Sequence, residues 1–346
     1  MQYTRLGNSG LVVSRMAYGV MTFGDGTASS HPMAQTWKTP QAEADNLVGG
    51  ALDAGVNIFD TADAYTEGRA ETMLAQALGP RRKDIVISTK VGFRTGPGLL
   101  HTGGSFQHVV AATEASLRRL QTAYIDLLSI HRLDPHAPLE ETARALDNLV
   151  QRGLVRYVGY SNFNAWQSAK LLGIQQRMGY APLIAAQMYY SLLGRDLEQE
   201  IVPFCQDAGI GIVVWSPLAG GFLSGRYTRQ DPTGGKGRLA DFSFLPSDKE
   251  KGYDLIERMR VIAADHKATV AQLALAWLLS KDYVSVILLG ASTVRQFDDN
   301  LGALEVKLSA AELNELDELT RPGMVYPNWF QERTGDAEVT KALSKR

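Results

Sequence analysis

The chain of 346 residues alternates short apolar segments with amphipathic ones along most of its length. The apolar segments predict eight β-strands, at residues 15–18, 57–59, 85–89, 125–130, 157–160, 185–187, 211–215 and 284–289. The amphipathic segments predict helices near residues 41–54, 68–78, 106–121, 139–152, 164–178, 197–208, 250–281 and 293–303. Strands that are apolar throughout are typical of parallel sheets covered on both faces. Eight β/α units in a chain of this length predict a closed (β/α)₈ barrel, a TIM barrel, forming one domain over residues 1–346.

Further segments surround the predicted barrel. The first residues read as a β-hairpin around Asn8-Ser9-Gly10 that closes the barrel floor. Residues 227–248 are rich in Gly, Pro and charge, which predicts a long loop after the seventh strand. Ser309 followed by Glu312 predicts an additional helix over 309–320, and the tail beyond it lacks a helical period. An open doubly wound sheet is less favoured, because no G-x-G-x-x-G follows the first strand.

Composition excludes several classes of protein. The net charge of -2 and the lack of a basic run argue against a nucleic-acid surface. No apolar segment is long enough to span a bilayer, and the N-terminus lacks the apolar core of a signal peptide. Cys205 is the single cysteine, so no intrachain disulfide can form. We therefore expect a cytoplasmic protein, and the sequence leaves open whether it forms a homo-oligomer.

Titratable residues stand where three consecutive predicted strands end. Asp60 ends the second strand with Tyr65 five residues later, Lys90 ends the third, and His131 ends the fourth. Each alone could be a solvated or locally satisfied side chain. Together they are expected to meet in one pocket, because barrel enzymes place their chemistry at the carboxyl ends of the strands.

This set of residues has a definite chemistry. A tyrosine with a pKa near ~10 exchanges protons poorly at neutral pH, and a nearby ammonium lowers that pKa. An aspartate keeps the lysine charged, and a neutral histidine can orient a substrate oxygen. The set would deliver a proton to a carbonyl oxygen, and the missing hydride implies a nicotinamide cofactor. A hydrolase or isomerase would need a metal or a carboxylate pair, and the sequence shows neither in a suitable arrangement.

The motifs of the chain resemble those of the aldo-keto reductases. "GVNIFDTADAY", "STKVG", "LLSIHRLDP", "VGYSNF", "WSPLAGGFLSGRY" and "GASTVRQFDDN" occur in the order and spacing of that family. The likeness covers nearly the whole chain and is greatest to the large bacterial-type branch, which includes the potassium-channel β-subunits. Two departures concern the pocket wall: Leu133 stands where an aromatic is common, and Glu67 stands in a usually glycine-rich turn.

The resemblance implies roles for individual residues. Asp60, Tyr65, Lys90 and His131 would form a catalytic tetrad with Tyr65 as the acid. Asp63 has no role in that tetrad, and its residue type predicts that it stabilises the turn by bonding backbone amides, while Glu71 is expected at a helix terminus or in a loop. The cofactor-binding residues would be Ser161, Asn162, Gln187, Trp215, Ser216, Pro217, Leu218, Gly220, Gly225, Arg226, Gly290, Ser292, Arg295, Gln296 and Asn300. Trp215 could instead be a core residue. NADP(H) is expected over NAD(H), because Arg295 could hold a 2′-phosphate, although this residue could also point to solvent.

The resemblance implies a reductase of aldehydes or ketones that also oxidises secondary alcohols. Substrate contacts are expected from Met21, Phe23, Trp37, Phe93, Tyr326 and Trp329, with the tail 321–346 bordering the pocket. Their apolar and aromatic character favours a bulky, partly hydrophobic carbonyl compound. The alternative is a cofactor-binding redox sensor like the channel β-subunits, which acts through a partner protein.

Overall fold

Eight parallel strands close into a barrel in a computed structural model that describes residues 1–25, 36, 38–234, 245 and 248–343. Two strands precede the barrel, β1 (Tyr3–Arg5) and β2 (Val12–Ser14). The barrel strands are β3 (Met16–Gly19), β4 (Ile58–Asp60), β5 (Val86–Val91), β6 (Ile125–Ile130), β7 (Val155–Ser161), β8 (Leu183–Tyr189), β9 (Gly211–Trp215) and β10 (Val284–Leu289). Their order is the chain order, and β10 closes the ring against β3. The predicted (β/α)₈ barrel is confirmed, with small shifts in strand boundaries.

The strands bury both faces, which explains their continuous apolar sequences. Alternate side chains fill the barrel interior, among them Ala17, Ile58, Val86, Leu127 and Val213. Their neighbours along the strands pack outward against the helices, among them Phe59, Ile87, Leu128 and Val214. This two-residue alternation makes a filled core rather than a channel.

Helices surround the barrel at most of the predicted positions. They are Gln41–Asp53, Arg69–Leu78, Phe106–Arg119, Leu139–Gln151, Ala165–Met178, Ile201–Ala208, Lys249–Asp265, Val270–Leu279 and Val294–Leu301. The single helix predicted over 250–281 is wrong, because the chain breaks at Lys267, whose φ is 52°. The second helix then starts at Thr269, where Thr269 and Gln272 form a capping box.

The N-terminal hairpin closes one end of the barrel, as predicted. Strands β1 and β2 pair antiparallel. Leu6, in the connection between them, is fully buried in the interior cluster. The backbone N–H of Asn8 donates to the carbonyl of Gly209, 2.6 Å away and just before β9. The hairpin therefore covers the end at which the strands begin.

The C-terminal part contains more helix than its pattern indicates. The predicted additional helix is Ala310–Leu319, capped by Ser309 and Glu312. Two short helices follow in the tail, Asn328–Thr334 and Ala337–Leu343, where no helix was expected. The tail is joined to the barrel through Gln199, whose side chain accepts from the N–H of Val325 at 2.8 Å. The tail thus lies beside the segment that follows β8.

The predicted long loop lies mostly outside the described residues. In its described first part, Arg229 makes ion pairs with three carboxylates of the helix Lys249–Asp265, those of Glu250, Asp254 and Glu257. These ion pairs join the first part of the loop to that helix. No helix among the described residues is long and apolar enough to cross a membrane.

Candidate active site

Four residues of the predicted tetrad lie at one rim of the barrel. Asp60 is the last residue of β4, Lys90 lies near the end of β5, and His131 directly follows β6. Tyr65 opens a short irregular turn, Tyr65–Gly68, that follows β4. Because parallel strands end at a common face, this rim is the one where barrel enzymes carry out their chemistry.

Asp60 and Lys90 form a buried ion pair at the centre of the rim. Lys90 Nζ donates to Asp60 Oδ1 at 2.5 Å and to the carbonyl of Thr61 at 2.6 Å. Asp60 Oδ2 also accepts from Ser88 Oγ and from Gln187 Nε2, each at 2.8 Å. Burial alone would lower the pKa of Lys90, but Asp60 and Tyr65 together raise it above its ordinary value. The ammonium therefore stays charged although its side chain is buried.

Tyr65 is held between the lysine and the histidine. Lys90 Nζ lies 5.0 Å from the centre of its ring, and the phenol helps to raise the pKa of Lys90. The rings of Tyr65 and His131 meet edge to face with centroids 5.9 Å apart. A positive charge at this position favours the phenolate over the neutral phenol.

His131 is a neutral imidazole in this setting. Burial, followed by the charges of Lys90 and Arg132, holds its pKa well below the ordinary range. Its Nδ1 is buried with no hydrogen-bond partner among the described residues. The ring of Phe93 packs against it at 4.3 Å between centroids. A neutral histidine can hydrogen-bond an uncharged oxygen without competing with Tyr65 as the acid.

The amide of Asn162 connects three strand ends next to the tetrad. Its Nδ2 donates to the carbonyl of His131 at 3.0 Å and to Ser161 Oγ at 2.9 Å. Its Oδ1 accepts from Trp215 Nε1 at 3.1 Å. Asn162 adopts a φ of 57°, which asparagine tolerates better than most residues. Ser161, Asn162 and Gln187, which were predicted to hold a nicotinamide carboxamide, therefore form one connected polar surface.

Trp215 lies at the edge of this surface and is partly exposed. One neighbour of its ring is Tyr189, at 5.2 Å between centroids with the planes inclined by 37°. The segment that follows turns sharply, since Ser216 has a φ of 53° and its hydroxyl accepts from the N–H of Gly220 at 2.8 Å. The exposed part of the ring gives a stacking surface that a core tryptophan would lack.

Open space adjoins Gly290, which was predicted at the cofactor site, and Gly221, which directly follows the predicted Gly220. No described atom lies within 4 Å of where a Cβ would stand on Gly221 or on Gly290. At Gly225 a Cβ would instead meet the side chain of Val270 at 3.1 Å. Gly221 and Gly290 thus leave room for a phosphate to approach the backbone. At Gly225 a glycine is required instead by the contact with Val270 and by the φ of 75°.

The segment predicted at the adenosine end opens the helix Val294–Leu301. Gln296 Oε1 accepts from the N–H of Ser292 at 3.1 Å, and Thr293 caps the helix. Ser292, Arg295 and Gln296 are exposed, whereas Asn300 is buried with 4% of its surface accessible. The first three can reach a ligand, and Asn300 faces the protein in this conformation.

The residues predicted to contact substrate are placed unequally. Phe93 adjoins His131, and Met21 is half-buried after β3. Phe23 is fully buried with its ring 6.0 Å from that of Tyr18, so its ring is part of the core here. Tyr326 and Trp329 are exposed and contact each other at 5.9 Å in the tail. Trp37 lies outside the described residues.

The remaining predicted cofactor residues follow β9 directly. Pro217 is buried, Leu218 and Gly220 are half-buried, and Arg226 is exposed. Gly220 has a φ of 69° and sits in a short irregular turn, Ala219–Ser224. This turn lies between the exposed ring of Trp215 and the start of the long loop.

Two groups of functional neighbours were missed by sequence reasoning. Ser88 donates to Asp60 and lies two residues before Lys90, on the same face of β5, so strand alternation could have indicated it. A second group lies behind β5, where buried Glu71 accepts from Thr89 at 2.6 Å and from Arg119 at 2.7 Å. Glu71 is thus a buried residue in the first turn of the helix Arg69–Leu78, as expected for a helix terminus and not for a loop.

Asp63 belongs to this second group. Its N–H donates to the carbonyl of Lys90 at 3.0 Å, but both carboxyl oxygens are buried without a hydrogen bond in the described part of the chain. Burial and then the charge of Glu71 raise its pKa well above the usual range, against the opposing effects of Arg119, the backbone of Ala64 and Lys90. The carboxyl is therefore held in its neutral form.

Known proteins match this arrangement. The sequence model described as "Aldo/keto reductase family" matches residues 15–321. The chain belongs to the aldo/keto reductase family. This membership supports an oxidoreductase acting on carbonyl compounds, and nicotinamide cofactors are general in the family. No group of three or more His, Cys, Asp or Glu among the described residues could hold a metal ion.

Relatives within the aldo/keto reductase family have differing descriptions. The chain is 34% identical to "Versiconal hemiacetal acetate reductase" of Aspergillus parasiticus, covering 94% of this chain and 99% of that one. It is 37% identical to "Probable voltage-gated potassium channel subunit beta" of Arabidopsis thaliana, over 88% of this chain and 92% of the other. A third relative, "Probable aldo-keto reductase 1" of Glycine max, is 35% identical over 94% of this chain and 90% of its own.

Proposed function

We propose that the protein reduces aldehyde or ketone groups to alcohols with a reduced nicotinamide nucleotide and oxidises secondary alcohols in reverse. One observation carries the proposal: the ammonium of Lys90, buried and paired with Asp60, lies 5.0 Å from the centre of the Tyr65 ring, and that ring also packs against the neutral His131. This arrangement supplies a proton at a fixed point without a metal. The family and the reductase among the relatives support the same reaction class.

The side chains divide the work of the reaction. The neutral imidazole of His131 hydrogen-bonds the carbonyl oxygen and directs it toward Tyr65. The reduced nicotinamide, when bound, supplies the hydride to the carbonyl carbon. Tyr65 transfers its proton to the oxygen, and Lys90 stabilises the phenolate that remains. In the oxidative direction the same phenolate accepts the alcohol proton.

The cofactor fits the residues beside the tetrad. The amides and hydroxyl of Ser161, Asn162 and Gln187 can pair with a carboxamide, and the exposed ring surface of Trp215 can stack on a flat ring. Space at Gly221 and Gly290 admits phosphates. For the cofactor form we propose NADP(H) over NAD(H), since exposed Arg295 lies in the first turn of a helix together with hydroxyls.

The substrate class is proposed from the residues around His131. The packing of Phe93 on the imidazole makes one wall aromatic, and Met21 adds apolar surface. We propose that the exposed aromatics of the tail border this wall. Such a pocket favours a bulky, partly hydrophobic carbonyl compound over a small sugar. The single cysteine, Cys205, is buried and unpaired, which favours a cytoplasmic location.

A redox sensor that acts through a partner protein is the second candidate, favoured by the likeness to the channel-subunit relative. The two are separated by measuring the absorbance loss of NADPH and of NADH with a panel of aldehydes and ketones. Turnover with at least one carbonyl, lost in Tyr65→Phe, supports the reductase. Cofactor binding with no turnover across the panel would overturn it in favour of the sensor.

A further inference from the structure

The turn that carries Tyr65 has an unusual backbone. Thr66, Glu67 and Gly68 follow one another with φ values of 48°, 56° and 91°. A positive φ is rare for a residue other than glycine, and for a β-branched residue such as threonine it is a genuine outlier. Such conformations persist only where the surroundings impose them, and they concentrate at functional sites.

One side of the turn is fixed by a hydroxyl. Thr66 is fully buried, and its Oγ1 donates to the carbonyl of Phe23. The segment of Phe23 is itself anchored, because the N–H of Phe23 donates to Val20 and the N–H of Gly24 donates to Thr39. The turn is thus bonded to a segment more than 40 residues earlier in the chain.

The other side is fixed by close packing. A Cβ on Gly68 would lie 2.8 Å from both Cδ and Nε of Arg119, so only glycine fits there at this φ. Arg119 is held in turn by a hydrogen bond from its Nε to Glu71 Oε2, at 2.7 Å. The turn therefore lies between an anchored carbonyl and an anchored guanidinium, with Tyr65 directly before it.

We propose that Thr66 is a positioning residue that sets the phenol of Tyr65 against Lys90 and His131. The inference rests on the proposed function, in which Tyr65 is the acid. The hydroxyl of Thr66 touches neither substrate nor cofactor in this scheme, and it acts by holding the backbone of its neighbour. Small displacements of a reacting group are costly to rate even when every reacting group is still present.

The test compares four variants by steady-state kinetics, cofactor Kd and Tm. Thr66→Val and Thr66→Ala both remove the hydroxyl. Valine keeps the branched shape of threonine, and alanine removes the branch. Thr66→Ser keeps the hydroxyl. Thr113→Val is the matched control, because Thr113 is also fully buried and donates to the carbonyl of Val109 at 2.7 Å within a helix away from the rim.

The expected result is a loss of kcat by roughly tenfold to a hundredfold in Thr66→Val and Thr66→Ala. Cofactor Kd should stay within about twofold, since these residues lie outside the proposed cofactor surface, and Thr66→Ser should recover most of the rate. Thr113→Val should change only Tm. If Thr66→Val does not fold, Thr66→Ala decides alone. A kcat for the hydroxyl-free variants no lower than that of Thr113→Val would overturn the inference.

A second readout does not depend on turnover. The ¹³Cζ resonance of Tyr65, assigned by its absence in Tyr65→Phe, is followed through a pH titration with and without Thr66→Val. Ionisation of Tyr65 should move to higher pH when the phenol is less well placed against the ammonium. An unchanged midpoint would also overturn the inference. A wild type with no turnover defeats the proposed function, and this titration still decides the role of Thr66.

Discussion

Gln187 Nε2 donates to Asp60 Oδ2 across 2.8 Å, although the two residues lie 127 positions apart in the chain. Gln187 belongs to the proposed cofactor surface, and Asp60 is the partner of Lys90. The same carboxylate thus orients the ammonium through one oxygen and the amide of Gln187 through the other. The carbonyl oxygen of that amide is then directed away from Asp60, which suits it to accept from a carboxamide N–H.

Tyr65→Phe should nearly abolish turnover and leave cofactor affinity almost unchanged. The change removes one hydroxyl from a residue that Lys90 and His131 contact directly. Loss of a positioned acid should lower kcat by roughly a hundredfold to ten-thousandfold. Kinetics and fluorescence titration of NADPH are the measurements. A variant that keeps more than about a tenth of the rate would show that another group is the acid.

Lys90→Met should cripple catalysis and also destabilise the fold. It leaves the buried carboxylate of Asp60 without its cation, which typically costs about 3–5 kcal/mol of unfolding free energy. Because the pKa of Lys90 is raised when folded, its contribution is complete below its ordinary value of 10.5 and is lost only as pH rises through the folded value. The wild type should therefore keep the stability from the charge of Lys90 between about pH 6 and pH 9, and urea unfolding of the wild type and the variant in that range measures what the variant loses.

The matched control is Lys90→Met combined with Asp60→Asn, which removes both charges. It should recover much of the lost stability while remaining inactive, since the uncompensated carboxylate has gone. If this double variant does not recover stability, the packing of the Lys90 side chain contributes more to stability than its charge does. The residual activity of Lys90→Met should also show a shifted pH profile, and an unshifted one would argue against the effect of the ammonium on Tyr65.

Asp63→Asn should stabilise the protein at neutral and alkaline pH. The raised pKa of Asp63 means that the folded state holds a proton which the unfolded state releases above its ordinary value of 3.8. Its contribution is therefore greatest at low pH and declines as pH rises toward the folded pKa. An amide cannot ionise, so we expect Asp63→Asn to be more stable than the wild type at pH 8 and to lose that advantage toward pH 4.

Urea unfolding across that pH range measures the effect of Asp63→Asn. Asp53→Asn is the control, because Asp53 is an exposed aspartate at the end of the helix Gln41–Asp53. It should change stability little at any pH. Equal stability of Asp63→Asn and wild type at pH 8 would mean that the carboxyl of Asp63 is solvated or paired when folded.

Arg295→Ala should weaken NADPH selectively. A charge-assisted contact to a 2′-phosphate contributes about 1.5–3 kcal/mol, which corresponds to a Kd raised roughly tenfold to a hundredfold. NADH lacks that phosphate and should bind almost as before. Arg226→Ala is the control, since Arg226 follows the turn proposed to hold the pyrophosphate that both nucleotides share. Equal losses for the two nucleotides in Arg295→Ala, or a wild type that prefers NADH, would defeat the assignment.

The sequence by itself determined the barrel, the hairpin and the rim positions of Asp60, Lys90 and His131. These features follow from local signals, namely apolar runs that alternate with amphipathic ones, turn residues, and polar side chains placed where a run ends. Even the break before Val270–Leu279 had a local signal, the capping box of Thr269 and Gln272, which a single long helical pattern obscured. Periodicity is a property of neighbours in the chain, so a sequence is enough to reveal it.

Only the tertiary structure decided which distant groups meet. It placed the ring of Phe23 in the core and its carbonyl on Thr66, and it left the carboxyl of Asp63 buried close to Glu71. It also set the left-handed turn after Tyr65, a conformation that threonine disfavours and that its surroundings impose. Burial and long-range hydrogen bonds depend on how the elements pack together, and the residues next to Tyr65 in the chain do not encode that packing.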